Sequence, residues 1–439
     1  MHRSTIVGRG RRAALSLSIG MWATCQSAAL AQTCDPTDLL APEVRYNAGD
    51  APNAVAMGDL DGDGDADLAV ANDSAGGTAS VLLGSGDGTF QPRQDFATGS
   101  GPRSVAMGDL DGDGTPDVAV ANFNSSTVSV LLGNGDGTFQ PRQDFATGME
   151  PNSVAMGDLD GDGALDLAVG NFNASTVSVL LGNGDGTFQP RQDYATGGRP
   201  LSVAMGDLDG DGALDLAVAN FNAATVSVLL NNGDGTYETR QDYATGRFPR
   251  TVVIGDLDGD GTPDLAAANG GSDSVSVLLG NGDGTFQERQ DFAAGSNPRS
   301  VAIGDLDGDG TPDLAVANGD SDTVSVLPGN GDGTFPARYD FPTDSRPNSV
   351  VIGDLDGDQT PDVATANVFS DTVSVLLNQC GPAACRADLD GDGALTIFDF
   401  LTFQNLFDAM DPAADFDGDG DLTIFDFLAF QNAFDAGCP

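Results

Sequence analysis

Seven times along this chain, aspartates occupy positions 1, 3, 5 and 9 of one short string, D-x-D-x-D-G-x-x-D. The sets are Asp59, Asp61, Asp63 and Asp67; Asp109, Asp111, Asp113 and Asp117; Asp158, Asp160, Asp162 and Asp166; Asp207, Asp209, Asp211 and Asp215; Asp256, Asp258, Asp260 and Asp264; Asp305, Asp307, Asp309 and Asp313; and Asp354, Asp356, Asp358 and Asp362. Alternate residues of a tight loop point the same way. The carboxylates at 1, 3 and 5 therefore converge, the carbonyl at position 7 (Thr115 in the second set) joins them, and the ninth-position aspartate closes the shell. Oxygen-only ligation on a glycine-permitted turn suits a hard cation of the size of Ca²⁺. Carboxylates crowded together without a cation repel one another. Ca²⁺ is thus the expected cofactor, and metal-free Asp/Gly turns are the alternative. Gln359 stands where the other six sets carry the turn glycine.

The composition removes other chemistries. The chain has 439 residues, 66 acids against 18 bases, and a formal net charge of −48. Only Glu43, Glu150, Glu238 and Glu288 are glutamates, and lysine is absent. Generic solvating acidity mixes both acids; an aspartate excess beside 60 glycines places short carboxylates on turns. Disorder fits poorly with 40% hydrophobic residues in regular Val/Leu runs. Nucleic acid and anionic membranes are disfavoured partners, because both need basic patches.

The N-terminus reads as a secretory signal over residues 1–31. Arg3, Arg9, Arg11 and Arg12 precede an apolar stretch from Ala13, and Ala29-Leu30-Ala31 fits a small-x-small cleavage rule. A membrane anchor is the alternative, but Ser16, Ser18, Thr24 and Gln26 interrupt a segment already short for spanning, so no membrane insertion is expected. Cleavage would remove the sole histidine, His2, the sole tryptophan, Trp22, and Cys25, and would take the charge from −48 to −52 by loss of four arginines. A mature chain without His or Lys has no Ser-His-Asp or Cys-His catalysis, no histidine-bound zinc and no Schiff base. A secreted or cell-surface monomer is expected.

The elements that position the aspartates repeat with them. The sets begin 50, then five times 49, residues apart, and a period near 50 suggests propeller blades. In the second unit, Arg103 to Gly108 reads as a first strand, Val118 to Asn122 as a second, Thr127 to Leu132 as a third and Phe139 to Thr147 as a fourth. Gly133 to Thr138, G-N-G-D-G-T, reads as a structural hairpin turn whose following Phe packs between blades. A four-stranded blade cannot bury both faces alone, and radial stacking buries them. The seventh repeat lacks its fourth strand, while residues 42–48 align with a fourth strand and place Tyr46 where Phe96 sits. The expectation is an all-β, seven-bladed propeller of four-stranded antiparallel blades over residues 32–380, closed by strand 42–48.

These repeats resemble the FG-GAP/VCBS family, the calcium-loop propeller repeats of integrin α heads and many bacterial surface proteins. The resemblance implies seven blades with Ca²⁺ in the loop between the first two strands of each. It implies no single activity; members serve in adhesion, as scaffolds, and beside or within polysaccharide-degrading enzymes.

After a linker at 381–384, residues 385–439 carry a second repeat. Asp388, Asp390, Asp392, Ala394, Thr396 and Asp399 fall at positions 1, 3, 5, 7, 9 and 12 of an EF-hand-type loop, with Gly393 at 6. Asp415, Asp417, Asp419, Asp421, Thr423 and Asp426 repeat it around Gly420. Each loop leads into one helix-length apolar segment. Two such loops, with Cys385 before them and Gly437-Cys438 after, resemble a GC-type dockerin-like domain, a small α-helical calcium-binding fold. The resemblance implies a cohesin-like receptor as partner. The cellulosomal type carries small hydroxyl residues at loop positions 10 and 11, where this chain has Ile397-Phe398 and Ile424-Phe425. Those pairs are either core or an apolar docking surface.

Two functions from different classes fit. One is a non-catalytic binding, adhesion or scaffold propeller with a protein or glycan ligand, displayed through the dockerin-like module. The other is an extracellular lyase or carboxylate-pair glycosidase on a propeller. Nearly every Asp pair already belongs to a calcium loop, and the near-identical blades leave little room for one specialised pocket, which favours the first. Four mature cysteines are expected to pair as Cys34 with Cys380 and Cys385 with Cys438; a local Cys380–Cys385 bond is the alternative.

Overall fold

The computed structural model describes residues 36–74, 76–380, 402–403 and 406–407. Seven four-stranded antiparallel sheets form a ring, six of them built from one repeat each and the seventh from the two ends of the propeller sequence. Blade one comprises Pro52–Gly58, Asp67–Asn72, Thr78–Leu82 and Gln94–Ala97, in that order from the inside outward. The inner strands of the next blades are Pro102–Gly108, Pro151–Gly157, Pro200–Gly206, Pro249–Gly255, Pro298–Gly304 and Pro347–Gly353. Each packs against the next, and the last returns to the first. A serine hydroxyl often ties them across the seam: Ser104 Oγ accepts the Val154 N–H at 3.2 Å, and Ser349 Oγ accepts that of Val55 at 3.3 Å.

The second strand explains the stacking. In D-L-A-V-A-N all six residues are buried. Side chains alternate across a strand, so Leu68 and Val70 face one neighbour while Ala69 and Ala71 face the other. Bulky and small faces meet between blades, and the core is seven inter-blade clusters around the ring.

Blade seven joins Pro347–Gly353, Asp362–Asn367 and Thr372–Leu376 to Val44–Asn47 from the other end of the propeller sequence. The register pairs Arg45 with Ser374 and Tyr46 with Val373. In blades one to five the third strand continues through a bridge such as Gly84↔Phe90; in blade seven Asn378↔Leu40 takes that place. Leu39 and Leu40 fill the space an aromatic fills in other blades, beside Phe341 and Cys380.

The strand boundaries hold with one revision. In blade two the fourth strand is only Gln143–Ala146, and Phe139 forms an isolated bridge to Gly133. Pro141, between them, has no N–H to give to a ladder. The signal segment, the linker, the dockerin-like domain with both its loops (Asp388 to Asp399 and Asp415 to Asp426), and Cys34, Cys385 and Cys438 lie outside the described residues; within that domain only Thr402, Phe403, Leu406 and Phe407 are described, and these are helical. Among the described residues no helix is long and apolar enough to cross a membrane.

Candidate metal centres and the opposite mouth

Each acidic loop joins the inner strand of a blade to its second strand. In blade one Asp59 Oδ1 accepts the Gly62 N–H at 2.7 Å and its Oδ2 that of Gly64 at 3.1 Å. Both glycines are left-handed, with φ of 78° and 94°. A Cβ at either meets nothing within 4 Å, so the loop asks for backbone sign rather than space. In blade seven Gln359 adopts φ 69° and gives its N–H to Asp354 Oδ2 at 2.9 Å, the bond Gly64 makes in blade one. The loop thus keeps its shape without the glycine.

The ninth aspartate is buried and has a second task. Asp67 Oδ2 accepts the Leu60 N–H and Oδ1 the Gly84 N–H, both at 2.7 Å. Asp117, Asp166, Asp215, Asp264, Asp313 and Asp362 make the same two bonds in their blades. Burial pushes Asp67, Asp117, Asp166, Asp215 and Asp264 up to about 6, and Asp313 and Asp362 up to about 7. The backbone donors oppose the shift and the other loop carboxylates add to it. An adjacent cation would favour the ionised form.

In blades one to four, carboxylate oxygens of the first, third and ninth positions lie within 4.8 Å of one another: Asp59, Asp61, Asp67; Asp109, Asp111, Asp117; Asp158, Asp160, Asp166; and Asp207, Asp209, Asp215. In blade five the trio is Asp256, Asp258 and Asp260. Oxygens about 2.4 Å from one Ca²⁺ are at most about 5 Å apart, so the trios fit such an ion. The fifth-position Asp63, Asp113, Asp162 and Asp211 stand outside their trios and instead accept the N–H two residues on. Among the described residues the arginines ion-pair elsewhere, chiefly with fourth-strand aspartates such as Asp95 and Asp144, and none is paired to a loop carboxylate. These carboxylate clusters could therefore hold a metal ion.

The G-N-G-D-G-T turns are more than hairpins. The Gly137 N–H donates to Leu60 O, in the acidic loop of the preceding blade, at 3.2 Å, and Gly88, Gly186, Gly284 and Gly333 repeat this across their seams. A Cβ on Gly137 would lie 2.8 Å from Leu83 of that blade. The aromatic after the turn packs edge-on against the fourth strand of the previous blade, as in Phe139–Phe96 with centroids 4.9 Å apart and Phe90–Tyr46 at 5.1 Å. The expected inter-blade position of this residue is thus the observed one.

A different surface lies at the other end of the ring, and the sequence reading passed over it. The residue after the first proline of each inner strand is Asn53, Arg103, Asn152, Leu201, Arg250, Arg299 or Asn348, and all seven line one cavity of about 580 Å³ at the mouth of the central channel. In every blade the strand register slips there, between Pro102 and Ser104 in blade two, so this residue is a β-bulge. Bulges re-aim side chains. Phe123, Phe172, Phe221 and Phe369, from the loops after the second strands, complete the wall with Arg346. The residue before each proline is left-handed in all seven blades, and only Gly101 is a glycine. The blades are therefore less uniform than the expectation of little room for one specialised pocket supposed. The available signal was the inner-strand position that changes between Asn, Arg and Leu while its neighbours repeat or change conservatively.

Comparison with known proteins bears on the fold and the family. A search of curated protein sequences finds no match. BBS1N, solved in complex with ARL6DN, is 13% identical over 77% of this chain and 97% of its own, with a TM-score of 0.56. A chain of Kuenenia stuttgartiensis hydrazine synthase is 16% identical over 77% and 98%, with a TM-score of 0.55. A lectin of Agrocybe aegerita that recognises non-reducing terminal N-acetylglucosamine is 25% identical over 75% and 86%, with a TM-score of 0.49. The first two share the fold. The family described as FG-GAP-like repeat matches residues 59–120, 109–169, 158–218, 207–267, 256–316 and 305–365. Six overlapping matches from the first acidic loop to the last, on a ring of seven such blades, place the chain in the FG-GAP-like repeat family.

Proposed function

We propose that this protein is a secreted, non-catalytic calcium-binding propeller that acts as a binding or scaffold module and is displayed through its dockerin-like tail. The observation that carries the calcium reading is the trio of close carboxylates in the blade loops, left without a cationic side chain in ion-pair range. FG-GAP repeats commonly bind Ca²⁺, and here the four-aspartate sets of all seven blades are its proposed ligands. The tail loops are the proposed eighth and ninth sites. A binding role fits a rigid ring that lacks His and Lys chemistry in its mature chain. The proposed staple between Cys34 and Cys380 is supported by the chain around it. Leu39 O accepts the Gln379 N–H at 2.8 Å, which sets the segment that follows Cys34 in sequence against the residue before Cys380.

Metal content and thermal unfolding test the reading together. Protein exchanged into excess Ca²⁺ is expected to retain several ions per chain and to unfold at a higher temperature than in chelator. Equal midpoints with no retained metal would sink the calcium assignment. Turnover in a screen of polysaccharide substrates would sink the non-catalytic one.

A further inference from the structure

We propose that the channel mouth opposite the acidic loops binds a small acidic sugar, one carrying a carboxylate or a sulfate. The inference rests on the binding-module reading and supplies its ligand class.

The charge at this mouth runs against the rest of the molecule. Arg103, Arg250, Arg299 and Arg346 line it with a single acid, Asp73, on a chain of net charge −48. Among the described residues only Arg103 of these four has an ion pair, to Asp73 at 2.7 Å. The Nε atoms of Arg103, Arg250 and Arg299 are buried and have no hydrogen-bond partner. Burial lowers the pKa of Arg250, and that of Arg299 to about 10; neighbouring arginines push the same way and Asp320 pushes back. Half-buried guanidiniums that repel one another are stabilised by a bound anion.

The backbone makes room for these groups. Arg250 and Arg299 sit on bulges beside Gly270 and Gly319 of the second strand's end. A Cβ on Gly270 would lie 2.6 Å from Arg250 Nε, and one on Gly319 only 2.1 Å from Arg299 Nε. Blades two to four carry Phe123, Phe172 and Phe221 where these glycines stand. The mouth is thus most basic at blades five to seven, with Arg250, Arg299 and Arg346, and carries Phe123, Phe172 and Phe221 at blades two to four; arginine and ring also meet directly, Arg103 lying over Phe123, Arg250 over Phe221 and Arg346 over Phe369, at 5.0, 5.4 and 4.4 Å from the ring centroids. Arginine forks match carboxylate and sulfate oxygens in pairs, and aromatic faces suit the apolar face of a sugar ring. A cavity of about 580 Å³ lies in the range of small-ligand sites and holds one or two such rings.

Calorimetric titration of the full chain in excess Ca²⁺, with inorganic sulfate, digalacturonate, neutral galactobiose and the peptide Asp-Asp as probes, tests the site. Digalacturonate or sulfate is expected to bind, and galactobiose not. Binding by digalacturonate alone assigns a carboxylate sugar, by sulfate alone a sugar sulfate, and mutual competition a shared oxyanion site. The double variant Arg250→Gln/Arg299→Gln is expected to weaken the bound probe at least tenfold. Arg346→Gln, at the rim, is the second variant should the first not fold, with a severalfold loss expected. No binding by either anion, affinity unchanged in both variants, equal binding of galactobiose, or tighter binding of Asp-Asp would overturn the proposal. Asp109→Asn/Asp111→Asn separates this result from the calcium reading: it is expected to lower retained calcium and leave the anion affinity unchanged. Anion affinity that follows the loop variant and not the arginine variants would place the ligand on the metal and also overturn it.

Discussion

Asp117 belongs to two structures at once. It is a member of a metal-ready trio, and it holds the Leu110 and Gly133 N–H groups at 2.7 Å each. The two roles separate on substitution. Asp117→Ala leaves two buried donors without an acceptor and is expected to cost about 2–5 kcal/mol in chelator as well as in calcium. Asp109→Ala removes bonds to exposed Gly112 and Gly114, and is expected to matter chiefly in calcium. Urea unfolding of both variants in each buffer decides it; an Asp117→Ala variant unaffected in chelator would remove the hydrogen-bond role. Gln359 gives a second prediction. Its φ of 69° is one that a side chain resists, so Gln359→Gly is expected to stabilise the propeller by about 1 kcal/mol by the same measurement. The aspartate spacing made this site legible in the sequence. The double duty of the ninth position was not, because its second partner lies 16 residues on, across the end of the third strand.

At the scale of the strand, the repeat period gave the blade and the alternation of D-L-A-V-A-N gave its two faces. What the pattern left out is how strands of different blades touch. The clearest case is Val44–Asn47, which no covalent hairpin ties to Thr372–Leu376. Its sequence also reverses the usual charges. Other fourth strands place Arg before Asp, as in Arg93–Asp95, whereas here Glu43 precedes Arg45, and Glu43 accepts the Ser374 hydroxyl as Asp95 accepts that of Ser80. Tyr46 anchors the strand, edge-on to Phe90 and donating its hydroxyl to Gly88 O at 3.1 Å. Tyr46→Ala is expected to cost about 3 kcal/mol and to expose the amides of Thr372–Leu376 to exchange first. Tyr194→Ala, the same change in a covalently continuous blade, is expected to leave its third strand protected. Hydrogen exchange read blade by blade checks both, and equal exposure would mean that strand 44–47 is held no differently from the rest.

For the whole ring, the contacts between each acidic loop and the next blade's turn make calcium a collective matter. Removing it is expected to lower one cooperative calorimetric transition of the propeller rather than to melt blades separately; resolved successive transitions would count against coupling through the turns. The ring is also where sequence reading stopped. Seven positions some 49 residues apart vary while their neighbours repeat or change conservatively, and only closure of the circle shows that Arg103, Arg250 and Arg299 share one cavity. Closure has a consequence for how the protein is made. Strand 44–47 leaves the ribosome some three hundred residues before its partner strand 372–376. At about 5–20 residues per second, the wait is roughly 15–65 s. During it the strand is an unpaired edge, the kind of segment on which chains join one another by mistake. Of its four residues only Tyr46 is not exposed in the finished ring, and Glu43 and Arg45 put opposite charges on its edge. The strand that must wait longest is thus also poorly suited to pairing with another copy, and birth order and composition agree.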